Sequence, residues 1–81
     1  MNLQDLERLY GGAARYSDYQ RGERIAFVGE GRLYTGTILW ICAPGCVLRQ
    51  SMPLRYIVAV DQMAQAPCLV WPRTILEQRT P

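Results

Sequence analysis

Between Gly22 and Glu77 the chain repeats one pattern: a short run of β-branched and aromatic residues, then a break made of Gly, Pro, Asp or Ser. Runs this short, bounded by residues that turn a chain, predict strands rather than helices. Glu23 to Val28 places Ile25 and Phe27 on one face, and Gly29-Glu30-Gly31 turns the chain. Leu33 to Cys42 is rich in Thr, Ile, Tyr and Trp, as strands are. Gly36 in its middle predicts a bend or a close backbone approach. Ala43 to Pro53, with Pro44, Gly45, Ser51 and Pro53, reads as a loop. Leu54 to Val60 puts Leu54, Tyr56, Val58 and Val60 on one face, by the two-residue period of a strand. Asp61 to Pro67 turns again, and Cys68 to Trp71 is a short strand broken by Pro72. Pro72-Arg73-Thr74 reads as one helical turn, leading into a last strand from Ile75 to Gln78.

Five short strands, with a tight helical turn between the fourth and fifth, predict an all-β fold, a five-stranded SH3-like barrel. An OB-fold wants a helix between its third and fourth strands, and Asp61 to Pro67 is too short for one. Ahead of the barrel, Asn2-Leu3-Gln4-Asp5 reads as a helix start, with Asn2 as the cap and Asp5 at the acidic position of a capping box. Leu3, Leu6, Leu9 and Tyr10 fall on one helical face, and Gly11-Gly12 ends it. So short a helix does not stand alone in water, so it must pack on the barrel or on a second chain. Ala13 to Gln20 reads either as a further helical turn or as a loop. The domain reading is residues 1–21 as a short N-terminal helix and linker, and 22–78 as the barrel.

Composition narrows the chemistry. A chain of 81 residues is one domain, and at this size only about 60% of the unfolded surface is buried, so oligomerisation would help. No apolar run is long enough to cross a bilayer, and Met1 to Asp5 lacks the basic-then-apolar layout of a signal peptide. A cytoplasmic protein without a membrane partner is expected. The net charge is +2 and all of the basic residues are arginine. The absence of histidine removes the commonest general base and the commonest metal ligand. Cys42, Cys46 and Cys68 are an odd set, which argues against a disulfide framework. Three thiolates could approach zinc, but no histidine and no second cysteine pair completes the site. Cysteines that pack as small hydrophobes are the expectation. Glu23, Glu30, Asp61 and Glu77 are scattered, and Gly29-Glu30-Gly31 lacks the third glycine of a phosphate loop. No catalytic residue, metal or cofactor is therefore expected.

Gly22-Glu23-Arg24-Ile25, Tyr34-Thr35-Gly36-Thr37-Ile38, Tyr56-Ile57-Val58, Val70-Trp71-Pro72 and Leu76-Glu77 together resemble the plasmid-borne type II dihydrofolate reductases. Those enzymes are SH3-like barrels with related pieces in the same order: Gly-Asp-Arg-Val, an aromatic-Gln-Gly-Gln-Ile strand and Val-Gln-Ile-Tyr-Pro. The resemblance covers residues 22 to 78 and leaves out the N-terminal helix. It implies an SH3-like fold, assembly around a central pore, and an origin as a mobile gene cassette. In that family a Gln-Ile-Tyr triplet holds the pteridine and nicotinamide rings, and a first-strand lysine attracts their anionic tails. The matching positions here are Leu69, Val70 and Trp71 for the triplet, and Phe27 for the lysine. Leu69 cannot hydrogen-bond a carboxamide and Phe27 carries no charge, so a site that reads polar groups loses its partners.

Apolarity on both faces of a strand points instead to binding. Leu69 and Trp71 share one face and Cys68 and Val70 the other. Ile38-Leu39-Trp40-Ile41 has no polar residue on either face. A small barrel has one interior, so the outer set must meet the helix, another subunit or a ligand. The expected function is a non-catalytic small SH3-like interaction module, a homo-oligomer, with a ligand or partner surface at Phe27, Leu69, Val70 and Trp71. The alternative is a nucleic-acid-binding module. Arg24, Arg32, Arg55 and Arg73, with Arg21 and Arg49, would contact phosphate, and Tyr16, Tyr19, Tyr34 and Tyr56 would stack on bases. Interleaved acids keep its net charge small.

Overall fold

The computed structural model describes residues 2–47, 50–63 and 66–76. In chain order these are helix α1 (Leu3–Tyr10), then strands β1 (Arg24–Gly29), β2 (Arg32–Cys42), β3 (Gly45–Val47), β4 (Gln50–Met52), β5 (Arg55–Val60) and β6 (Cys68–Val70). A 3₁₀ turn (Pro72–Thr74) and β7 (Ile75–Leu76) follow. The fold is mostly antiparallel sheet with one short helix. Five strands form an open sheet in the order β6-β5-β2-β1-β7, and β3 and β4 form a separate hairpin. That hairpin corrects the loop expected from Ala43 to Pro53. Its strands pair only with each other, and the prolines that suggested a loop, Pro44 and Pro53, stand just outside it. Arg49, Glu77 and Gln78, which figured in the sequence reading, lie outside the described residues.

The β1–β2 connection is a two-residue loop, because Gly29 pairs with Arg32. Glu30 (φ 52°) and Gly31 (φ 74°) are both left-handed, the conformation that matches the twist of the flanking strands. Strand β2 then serves two neighbours, pairing with β1 up to Thr37 and with β5 from Gly36 onward. Gly36 is the junction, opposite both Ile25 and Val60. A Cβ there would lie 2.5 Å from the Ala59 carbonyl oxygen and 2.6 Å from Val58 Cγ1. This is the close backbone approach that the sequence predicts, and it lets β2 pass under β5.

Two residues later the register slips. Ile38 pairs with Val58, but Trp40 pairs with Ile57, so Leu39 is one residue extra. Such a β-bulge reverses which face each later residue meets. Ile38 and Ile41 therefore share one core with Ile25, Phe27, Tyr56, Val58, Val60 and Val70. Trp40 and Cys42 point the other way, into a second cluster with Ile57 and Leu6. The unbroken apolarity of Ile38 to Ile41 thus serves two cores.

The second cluster is roofed by α1. The Asn2 side chain accepts a hydrogen bond from the Asp5 N–H at 2.9 Å, which caps the helix start. Gly11 closes the end, its N–H reaching the Glu7 carbonyl at 2.8 Å. Only Leu6, with Tyr10 one turn on, packs inward; Leu3 and Leu9, expected on the same apolar face, stay exposed. The Trp40 indole N–H donates to the Gly11 carbonyl at 2.9 Å, and the Arg21 guanidinium lies 5.3 Å from its ring centroid. Residues 13–20 are irregular chain rather than a further helical turn. They run along β2, where Ala14 N–H donates to the Ile41 carbonyl and Ala43 N–H to the Gly12 carbonyl, each at 2.9 Å.

Two stability measurements follow from this packing. Gly36→Ala forces a methyl against backbone and should cost about 1–3 kcal/mol in urea unfolding; an unchanged midpoint would contradict the close approach. Leu6→Ala should cost about 2–4 kcal/mol and shift Trp40 emission to the red, whereas an unshifted spectrum would mean the helix does not cover that ring.

Candidate binding surface

The four residues expected on one binding surface do not stay together. Phe27 is buried, because strand alternation puts it beside Ile25 in the main core, where it stacks on Tyr34 with centroids 5.6 Å apart. Val70 is likewise core. Leu69 lies opposite Ile57 on the helix side of the sheet and is 44% exposed. Trp71 follows the end of β6 and is half-buried.

Trp71 borders a groove. With Pro53, Pro72 and Arg73 it lines a depression of about 460 Å³. Pro72 also borders a second depression of about 400 Å³, lined by Tyr16, Ser17, Asp18, Leu54 and Tyr56. Tyr16 and Leu54 continue into a third of about 500 Å³, with Ala13, Ala14, Arg15, Ala43 and Pro44. The shared residues make the three one continuous, open groove. Its floor is braced. The Tyr56 and Ser17 hydroxyls are 2.7 Å apart, the Ser17 oxygen accepts from the Tyr19 N–H at 3.1 Å, and the Tyr19 ring stands edge-on to Tyr56 at 5.8 Å.

Of these lining residues, the sequence reading singled out Trp71 as a partner-binding residue and Arg73, Tyr16 and Tyr56 for nucleic acid. It missed Ser17, Asp18, Pro53, Leu54 and Pro72 as lining residues. The available signal was the prolines: Pro53 and Pro72 sit directly beside strands, where a rigid ring is exposed at a sheet end, but they read only as breakers.

The arginines are dispersed. Arg24 is held by Asp61, donating to Oδ1 at 2.9 Å and also to Oδ2, and it reaches the Thr37 hydroxyl at 3.0 Å. Arg55 donates to the Ala43 and Pro53 carbonyls at 3.4 and 3.3 Å. Arg32 sits at the β1–β2 turn, the opposite end of that ladder from Arg24. Arg73 alone of the four borders the groove. Among the tyrosines, Tyr56 is buried and Tyr19 and Tyr34 pack on the core, while Tyr16 is 87% exposed.

The densest polar cluster surrounds Asp61. Besides Arg24, the Thr35 hydroxyl donates to its carboxylate at 2.7 Å. The Gln62 side chain accepts from the Thr35 N–H and donates to its hydroxyl, both at 3.1 Å. Hydrogen bonds from Arg24 and then Thr35 pull the Asp61 carboxyl down to about 2. The cluster ties the ends of β1, β2 and β5 together, and its groups answer one another. The cysteines are also separated. Cys42 lies in the helix-side cluster, where burial pushes its thiol up against the opposing pull of Arg55. Cys68 packs on the main core, 3.4 Å from the Met63 sulfur. The Cys46 side chain lies outside the described residues. Among the described residues no group of His, Cys, Asp or Glu is placed to hold a metal ion, and no helix is long and apolar enough to cross a membrane.

No protein-family model matches the chain, and no curated protein or solved structure matches it.

The Asp61 cluster sets a pH dependence. Its folded value lies below the ordinary 3.8, so the stabilisation is present above pH 4 or so and is lost as pH falls through about 2. Denaturant midpoints of the protein should fall across that window. Asp61→Asn should flatten the drop, and identical profiles for the two would refute the assignment.

Proposed function

We propose that this chain is a non-catalytic binding module built on an SH3-like barrel, and that the groove at Trp71 is its binding surface. The barrel reading is supported by the order of the main sheet, with the last strand, β7, beside the first. The 3₁₀ turn immediately before that last strand supports it too. The observation that carries the binding role is the groove itself: an aromatic and proline-walled channel over a hydrogen-bonded floor. Binding sites favour concave apolar surfaces with a few fixed polar groups. Catalysis has no base to draw on, since the chain has no histidine or lysine. A diverged type II reductase would need hydrogen-bonding and cationic groups where Leu69 and Phe27 stand.

Self-association belongs to the same proposal, but on a different face from the one the sequence suggested. Helix α1 already covers Trp40, Cys42 and Ile57. Val28 and Leu33, opposed across β1 and β2, remain exposed with Leu76 of the neighbouring strand, and they are the patch a second copy would cover. The buried free thiol of Cys42 suits a reducing cytoplasm. A nucleic-acid role draws no support from the scattered arginines.

Fragment and peptide titrations followed by amide and indole NMR shifts test the binding role. Perturbations should gather at Tyr16 to Asp18, Leu54 and Trp71 to Thr74; ligands that bind while leaving these signals still would end it. Sedimentation at high micromolar concentration should show a dimer or larger species that Leu33→Glu dissociates. A monomeric parent protein would remove the self-association.

A further inference from the structure

We propose that the groove takes an extended, proline-rich segment of a partner protein, with an acidic residue at the Arg73 end and a basic residue near Asp18. The inference rests on the binding-module reading above and names the chemistry of its partner.

The chain's two tryptophans make the first argument. Trp40 is a structural ring: it is covered by Leu6 and its indole N–H is spent on the Gly11 carbonyl. Trp71 is half-buried at the groove, and among the described residues its indole N–H donates to no protein group. A flat ring with a free donor at its edge suits a ligand that offers apolar rings and backbone carbonyls together. A polyproline II segment does so: its backbone is unpaired, its carbonyls project outward, and its prolines have no N–H to leave unsatisfied.

Shape makes the second. Each depression is open and none encloses a ligand, so contact area per bound residue is small. Binding on such a surface is favoured when the ligand gives up little conformational freedom, and a polyproline II helix is largely pre-ordered. At about 3.1 Å per residue, a segment of roughly ten residues has the length of the molecule, whose principal extents are 35, 26 and 26 Å.

Charge makes the third, and it separates peptide from nucleic acid. Arg73 stands at the Trp71 end and Asp18 in the middle depression. Both are exposed, and among the described residues neither has an ion-pair partner. A strand of phosphates passing Arg73 would next meet the Asp18 carboxylate. A peptide with charges of opposite sign at its two ends satisfies both.

The test uses an acetylated peptide, Asp-Pro-Pro-Leu-Pro-Pro-Leu-Pro-Pro-Arg, a version with every proline replaced by alanine, a version with Asp and Arg exchanged for Lys and Glu, and oligothymidylate. Affinities come from fluorescence titration of the full chain, and contacts from the Trp71 indole signal. The proline peptide should bind about tenfold more tightly than its alanine version, reflecting pre-ordering. Tyr16→Ala and Arg73→Glu, both at exposed positions that leave the core intact, should each weaken it severalfold. Arg73→Glu should narrow or reverse the preference over the charge-exchanged peptide. Equal binding of the alanine version overturns this proposal while the binding-module reading stands. Tighter binding of oligothymidylate overturns it in favour of nucleic acid. Silence of the Trp71 indole with every peptide and every fragment overturns both readings.

Discussion

One extra residue in β2 organises this molecule. A strand alternates strictly, so without Leu39 every second residue from Gly36 to Cys42 would face the same way. Ile38 and Ile41 would then oppose each other across the sheet, and one of them would leave the core. The slip between Ile38 and Trp40 reverses the alternation at mid-strand. Ile41 returns to the interior against Tyr56, and Trp40 and Cys42 turn outward together. Gly36, two residues before the slip, supplies the space that lets the same strand bend between its two neighbours. Bulge and glycine together convert one long strand into the hinge line between two halves of the sheet.

That reversal creates a need that α1 meets. Trp40, Cys42 and Ile57 form an apolar outer surface that a small domain does not leave in water. The helix brings only one inward leucine, yet it is fixed at both edges of the contact. Leu6 sits on the cluster, and the Gly11 carbonyl takes the indole proton of Trp40. Two-sided apolarity in a strand therefore has two physical solutions, a second subunit or a segment of the same chain, and they leave the same trace in a sequence. Here the segment of the same chain lies on it, which moves any self-association to the exposed residues of β1, β2 and β7.

Much of the fold was legible for this reason of alternation. Ile25 and Phe27, and Leu54, Tyr56, Val58 and Val60, keep a clean two-residue period, and all six pack in or against the main core. Gly36 announced its close approach, Asn2 its cap and Pro72 its turn. The failures lay where period and punctuation mislead. The β3–β4 hairpin hid behind prolines that flank it, and the bulge is invisible in a run where every residue is apolar. Phe27 and Val70 were assigned to a surface by likeness of position, although their own alternation with Ile25 and Cys68 put them inside. The groove was the least legible part, because its walls come from residues near 16, 54 and 72, which no spacing rule connects. What joins them is tertiary: a serine hydroxyl on a tyrosine hydroxyl, and a shared proline.

The helix and the groove are consequently parts of one arrangement. Once Gly11 is tied to Trp40, the chain has only a few residues in which to reach β1, and it takes them along β2, held by Ile41 and Ala43. That path delivers Ala14 to the core and Tyr16, Ser17 and Asp18 to one wall of the groove. The opposite wall, Trp71 to Arg73, is set by β6 and the 3₁₀ turn and does not need the helix. A loosened helix would leave half of the groove in place and the other half adrift. Affinity would then fall by the fraction of time the wall is absent, with no contact to the ligand altered. The outward-facing tryptophan and the inward-facing one are thus linked: Trp40 holds the segment that completes the surface on which Trp71 stands.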